Sequence, residues 1–457
     1  MKRYTRSLPS ALAQLGMLVV ELDLRSDHSK LDLLAQGIPP QGLIQDDVRS
    51  ALAFLKSNSN VDPSRIALIG EGLAAAMAAA INREFAVSVI FNGFPDFASV
   101  VKEIHVPSLG TVIDPCILLP GILRIANSHE LAALIVPRPL LMINGSDGPL
   151  RYAIDLYRMA GAYSNLSHDE ASSWTSNAEY AIRRWLARHL LKIAELKDPT
   201  PSIIEIPVVT QLRSTTNSGT SEKHAEISVQ SLAQLLGPPL LEGRFTHALN
   251  CRPGPSVYAA GDKRIQLYTQ TKIGIPSTVL RPGPGGCDAA RGTLIAVSDN
   301  GRSELVSDEI VLEAHKRGWI VWALDPRGIG EMVMPLEAFG SIASLLLGES
   351  FSWRQSTDIL RVLQHVAGGE SRYPTALYAR GKVMGLAASY VAAVAGSREL
   401  QWTALRDVAP SFRDMADTRL LVPFSAPPSF DIPDLWRASK GKIHFIQSVD
   451  EFVRSDW

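Results

Sequence analysis

Short runs rich in valine, isoleucine and leucine alternate along the chain with longer alanine- and leucine-rich stretches of helical period. That alternation predicts parallel sheet covered by helices, because a strand buried on both faces reads as a continuous apolar run. In the first half the strand candidates are 18–24, 65–70, 87–92 and 139–144. In the second half they are 277–280, 293–297, 319–324, 376–379 and 442–446. Alanine-rich 73–80 and 386–395 read as core helices, and Trp319 and Trp322 as packing residues. Between the halves, Pro199, Pro201, Pro207, Pro238, Pro239 and a Ser/Thr run at 214–221 mark a linker and the opening of a second domain. The expected division is a first domain at 1–196, a linker and opening segment at 197–264, and a second domain at 265–457.

The two halves share an order of features. Gly16 leads through Leu18, Val19 and Val20 to Asp23 and Arg25, and Gly318 leads through Ile320, Val321 and Trp322 to Asp325 and Arg327. The glycine-to-aspartate spacing is seven residues in both. Each is followed by a helix carrying Asp-x-x-Arg (Asp46 to Arg49, Asp358 to Arg361), then by a strand, a turn of small residues and an alanine-rich helix. Four matches in one order predict a tandem duplication. Asp23 with Arg25, and Asp325 with Arg327, are expected to form structural pairs.

A strand that stops at a tight turn and opens a helix suits an exposed nucleophile, because small neighbours let one side chain project at a strained bend. The helix N-terminus behind it favours developing negative charge. The first copy carries Gly70-Glu71-Gly72-Leu73-Ala74 after Val61-Asp62-Pro63-Ser64-Arg65-Ile66, and 131–147 reads LAALIVPRPLLMINGSD. These stretches resemble the alpha/beta-hydrolase family, in particular the large tandem-domain bacterial esterases related to acetylxylan esterase. The resemblance covers roughly 11–195 and 265–455. It implies an α/β fold of two tandem α/β-hydrolase-like domains, each a three-layer α/β/α arrangement with a mainly parallel sheet. It also implies that the first lacks its N-terminal strands, with no counterpart of the hairpin, third strand and oxyanion loop before Gln14. The strand at 18–24 is then expected to close directly against 65–70, or to accept a strand such as Ile203-Ile204-Glu205-Ile206. The second copy keeps the third strand, followed by Ser298-Asp299-Asn300-Gly301.

On this resemblance the nucleophile position falls on Gly72 in the first copy and on Gly381, within Ala379-Arg380-Gly381-Lys382-Val383, in the second. The acid and histidine roles carry over to Asp147 and His168, with His168 expected in a loop before a helix at 177–191. Asp147 and His168 read equally as a vestigial acid–histidine pair or as ordinary loop residues, with Asp169 and Glu170 beside them. Glu71 reads as a structural carboxylate rather than a substitute nucleophile. In the second copy Asp450 lies near the acid position, and no histidine follows before Trp457.

Composition narrows the functional classes. Forty-five basic against forty-six acidic residues give a formal net charge of −1, without the basic excess that nucleic acid or an anionic membrane calls for. No charge-free apolar run is long enough for a membrane span, and the broken apolar stretch before Glu21 does not read as a signal peptide. Cys116, Cys251 and Cys287 show neither disulfide-framework nor zinc-ligand spacing. Gly283, Gly285 and Gly286 fit neither dinucleotide nor P-loop spacing, so no cofactor or metal is expected. Three readings remain: an ester hydrolase acting on a small ester or carbohydrate ester; a non-catalytic scaffold binding a ligand or partner chain; and a piece of a longer esterase whose start lies upstream of Met1. Glycine at both nucleophile positions predicts no serine-type turnover.

Overall fold

The computed structural model describes residues 7–23, 33–34, 38–92, 96–97, 118–145, 147–170, 175–194, 196, 247–248, 263–270, 273–281, 290–333, 339–368, 374–412, 414–415 and 430–454. The chain divides into two compact units, 1–30 with 38–220 and 31–37 with 221–457.

The first unit is a parallel sheet with helices on both faces. Its elements are α1 (Ser7–Gln14), α2 (Pro40–Ser57), β1 (Ile66–Glu71), α3 (Gly72–Ile81), β2 (Phe85–Phe91), α4 (Leu131–Ile135), β3 (Leu140–Ile143), α5 (Asp147–Met159), β4 (Leu166–Asp169) and α6 (Ser176–Leu186). The strands lie in the order β1-β2-β3-β4, every pair parallel. Strand periodicity sorts the core. Val87, Val89 and Phe91 of β2 share one face with Leu141 and Ile143, under Leu8 and Leu12 of α1 and Ile182 and Leu186 of α6. A second cluster joins Val48 and Leu52 of α2 to Ile66, Ala78 and Phe85. Alanine gives α3 high helix propensity and a thin side. The thin side lets it approach β1 so closely that a Cβ on Gly70 would lie 2.7 Å from that of Ala75.

The strand expected at 18–24 is not formed. Residues 17–23 carry no regular secondary structure, and Leu24 lies outside the described residues. The two-residue alternation is nevertheless obeyed by the side chains. Met17 and Val19 pack on the first cluster, while Leu18 and Leu22 are exposed. What is missing is a hydrogen-bonding neighbour, since among the described residues β1 ends the sheet. The Ile203–Ile206 donor, Arg25 and the three cysteines also fall outside the described residues.

The second unit is larger and mixed. Its elements are β5 (His247–Ala248), β6 (Lys263–Gln270), β7 (Ile273–Leu280), β8 (Gly292–Ser298), α7 (Glu309–Lys316), β9 (Trp319–Leu324), α8 (Phe339–Leu346), α9 (Phe351–Gly368), β10 (Thr375–Arg380), α10 (Lys382–Val394), β11 (Trp402–Arg406), α11 (Ile432–Ala438), β12 (Ile443–Phe445) and α12 (Val449–Arg454). The strand order is β12-β11-β10-β8-β9-β7-β6-β5. It is parallel from β12 to β9, and antiparallel from β9 through β7 and β6 to β5. Ile295, Val297, Leu377 and Ala379 face α9 and α10. Their neighbours Leu294, Ala296, Ala376 and Tyr378 face α7 and α12. Both faces are thus covered, as a parallel sheet requires.

The expected Asp325–Arg327 pair is replaced by two crossed ones. Asp325 accepts from the backbone N–H groups of Arg302 at 2.6 Å and Glu331 at 3.1 Å, and pairs with the Arg302 guanidinium. Arg327 reaches Asp358 of α9 with Nη2 at 2.6 Å and Nε at 2.8 Å. Both Asp325 and Asp358 are buried, and a buried carboxylate takes the partner that best satisfies both of its oxygens.

Candidate functional site

Each unit has one strand that runs straight into a helix through a left-handed glycine. In the first unit β1 ends at Glu71, Gly72 has φ +64°, and α3 begins. In the second β10 ends at Arg380, Gly381 has φ +100° and ψ 169°, and α10 begins. An L side chain rarely adopts such φ values, which is the strain a strand-to-helix elbow imposes. Both turns are therefore strand-to-helix bends, as the motif spacing predicts.

Around Gly72 the carboxyl ends of the strands carry a polar row. Asn92 donates from Nδ2 to Oε1 of Glu71 at 2.5 Å, and Asn144 donates from Nδ2 to Oδ1 of Asn92 at 2.7 Å. Glu71 is thereby engaged along the sheet end, in keeping with a structural role. Gln45 of α2 donates to the Ala74 carbonyl at 3.1 Å and fixes the first turn of α3 from behind. A Cβ on Gly72 would meet nothing within 4 Å, so a side chain has room there and only backbone strain opposes it.

His168 is in β4, opposite Met142 of β3, rather than in the loop expected before the last helix. The loop expectation fails because Leu166–Asp169 is a short, polar edge strand with almost no apolar signal. The helix that follows is shorter than expected, α6 giving way to a π-helical turn at Ala187–Leu191. Asp147 opens α5 and is exposed, its acidic side chain in the first turn of that helix. Among the described residues no hydrogen bond or ion pair joins Asp147 to His168. Asp450 similarly lies in the first turn of α12.

In the second unit β8, β10 and β11 end level with one another. Ser298 is opposite Arg380, and Arg380 opposite Arg406. The ladder continues one rung further, Asp299 donating its N–H to the Arg380 carbonyl at 3.1 Å and Gly381 to that of Arg406 at 2.9 Å. Between β8 and β10 the strand order reverses, since β9 lies on one side of β8 and β10 on the other. The crevice outside the carboxyl ends at such a switch point is where open α/β sheets place ligands. Here it is a cleft of about 280 Å³ lined by Ser298, Asp299, Asn300, Glu304, Arg380, Gly381 and Asp407.

Charge in the cleft is nearly all paired. Arg380 meets Glu304 and Asp308 at 3.1 Å each and Asp407 at 3.3 Å. Asp308 also caps α7, accepting from Ile310 N–H at 2.9 Å, and it accepts from the Tyr378 hydroxyl at 3.1 Å. The remaining carboxylate, Asp299, turns inward. It accepts from the Val383 N–H at 3.1 Å and the Met384 N–H at 2.7 Å. Burial pushes its carboxyl above the ordinary carboxylate range, the backbone N–H groups at the start of α10 offsetting this in part, with Glu304 adding to the rise. A Cβ built on Gly381 would overlap that carboxylate. The sequence assigns Asp299 no role, because its partners are more than eighty residues away. The one legible signal is an acid directly after a strand with an apolar centre, Leu294 to Val297. Among the described residues no group of three or more His, Cys, Asp or Glu side chains is arranged to hold a metal ion, and no helix is long and apolar enough to cross a membrane.

No protein-family model matches the chain. It is 34% identical over 143 residues to an uncharacterized protein of Mycobacterium tuberculosis, covering 30% of this chain and 45% of that protein. It is 26% identical over 134 residues to the uncharacterized protein YfhR of Escherichia coli O157:H7, covering 28% and 44%. The chain thus spans under half the length of these curated relatives. Among solved structures, it is similar to a Bacteroides fragilis protein assigned as an acetyl xylan esterase. That likeness has a TM-score of 0.32 and 14% identity, over 41% of this chain and 59% of that one. It is similar also to a carbohydrate esterase family 15 glucuronoyl esterase of Caldicellulosiruptor kristjansonii, with a TM-score of 0.26 and 18% identity, over 36% and 55%.

Proposed function

We propose that this chain is a degenerate relative of the ester hydrolases, a tandem duplication in which neither elbow performs serine-type acyl transfer. The observation that carries the reading is the pair of elbow glycines, Gly72 at φ +64° and Gly381 at φ +100°, each where a strand becomes a helix. Attack on an ester carbonyl needs an activated hydroxyl within reach of a base and donors aimed at the oxyanion. Glycine supplies no atom that could form an acyl-enzyme. In the first unit His168 and Asp147 would be remnants of an acid–histidine pair, now on β4 and at the start of α5. Duplication is supported by a second pair of left-handed glycines, Gly16 after α1 at φ +84° and Gly318 after α7 at φ +89°. On this reading the domains follow the division at 1–196, 197–264 and 265–457, and any retained ligand is a small ester or carbohydrate ester.

A binding role without turnover is the second reading. The place of the polar crevice lined by Ser298, Asn300 and Arg380, outside the carboxyl ends of the strands at the switch point of the second sheet, favours it.

The test is an activated acetyl ester assay combined with a fluorophosphonate serine probe on the full chain. The expected result is no turnover above buffer and no stoichiometric label. Covalent labelling of one serine, with turnover abolished by His168→Ala, would overturn the proposal.

A further inference from the structure

We propose that the residue in front of each elbow glycine, Glu71 or Arg380, is a positioning residue: a left-handed asparagine or aspartate after the neighbouring strand grips it, and this side-chain clamp sets the bend in both units. The proposal needs only the observed bends and not the loss of turnover proposed above. Left-handed φ is uncommon outside glycine, and asparagine and aspartate tolerate it best. Here it falls on Asn92 at φ +49° and Asp407 at φ +57°. Asn92 directly follows β2 and Asp407 directly follows β11, in each case the strand paired with the elbow strand.

The register is the same in both units. Glu71 ends β1 opposite Phe91, and the Asn92 amide donates to its carboxylate at 2.5 Å. Arg380 ends β10 opposite Arg406, and its Nε donates to the Asp407 carboxylate at 3.3 Å. In a continuing strand the residue after Phe91 or Arg406 would point to the face opposite the elbow residue. The left-handed turn takes it out of that alternation, and the two side chains meet across the strand ends. Donor and acceptor are exchanged between the units, so the shared feature is the geometry of the clamp and not its residue types. Reinforcement differs too. Asn144, left-handed at φ +51°, backs Asn92 with a bond at 2.7 Å. Arg380 holds Glu304 and Asp308 at 3.1 Å each besides Asp407, and both halves of its clamp line the crevice.

Amide hydrogen exchange of the full chain, read by mass spectrometry on peptides spanning each elbow, tests the clamp. Glycine keeps the left-handed φ without strain, so Asn92→Gly removes only the side chain and its bonds. It should speed exchange across 68–76 by about tenfold, the loss expected of one charge-assisted bond. Asp407→Gly should speed exchange across 377–385 by only about twofold, because Arg380 retains two carboxylates. Glu71→Arg should also speed exchange at the first elbow. Adding Asn92→Asp, which recreates the pair of the second unit, should return it to within about twofold of the parent. That recovery separates a clamp from ordinary packing. Should Glu71→Arg fail to fold, Asn92→Gly decides alone. Exchange in Asn92→Gly unchanged from the parent, or a double variant no slower than Glu71→Arg, would overturn the clamp. Esterase turnover would instead overturn the function proposed above, so the two failures are distinct.

Discussion

His189 shows how one half-buried ring sets a pH dependence. It lies in the π-helical turn at Ala187–Leu191 and packs on Trp185, the ring centroids 4.1 Å apart. Its Nε2 is buried without a hydrogen-bond partner. Burial, with the nearby Arg188 and Lys192 charges, pushes its pKa below the ordinary 6.5. The unfolded chain therefore takes up a proton as pH falls through 6.5 while the folded chain does not. Stability present above that pH is lost below it. Urea unfolding should show a stability that declines from pH 6.5 downward, and His189→Gln should flatten part of that decline. The remainder belongs in part to His444 of β12, whose imidazole is also pushed down by burial. An unchanged slope in His189→Gln would show that the ring charges freely in the folded state.

The elements show where sequence pattern suffices and where it does not. The elbows were legible because strand, small-residue turn and alanine-rich helix are each local signals, and both formed where the spacing placed them. At Gly72 only the backbone opposes a side chain, so Gly72→Ala should cost about 1–2 kcal/mol by denaturant unfolding. A loss beyond about 3 kcal/mol would mean that packing, not φ, demands glycine there. Strands whose identity depends on their neighbours were harder to read. The described residues 18–23 have strand composition but no ladder, whereas Leu166–Asp169 has little strand composition and forms an edge strand on β3. Trp402–Arg406 was missed although it pairs with β10 and β12 on both sides. Its five residues are too few to establish a period. Asp299 was invisible for the same reason at greater range, since its partners are set by topology and not by spacing.

At the scale of the whole molecule, among the described residues, the hydrophobic clusters each lie within one unit. Leu141 of β3 and Leu377 of β10 are both buried, one in each unit. Truncation of either to alanine should cost about 2–5 kcal/mol. Amide hydrogen exchange should accelerate in the unit that carries the substitution, and acceleration spread equally over both units would contradict separate cores. The seating of Asp299 against Gly381 also couples two positions of the second unit. A side chain at 381 and a carboxylate in the neighbouring volume exclude one another, so neither position can gain bulk without a change at the other. Two positions far apart in the sequence are thus free to vary only together, and a survey of substitutions at 381 would misjudge that position unless 299 is varied with it.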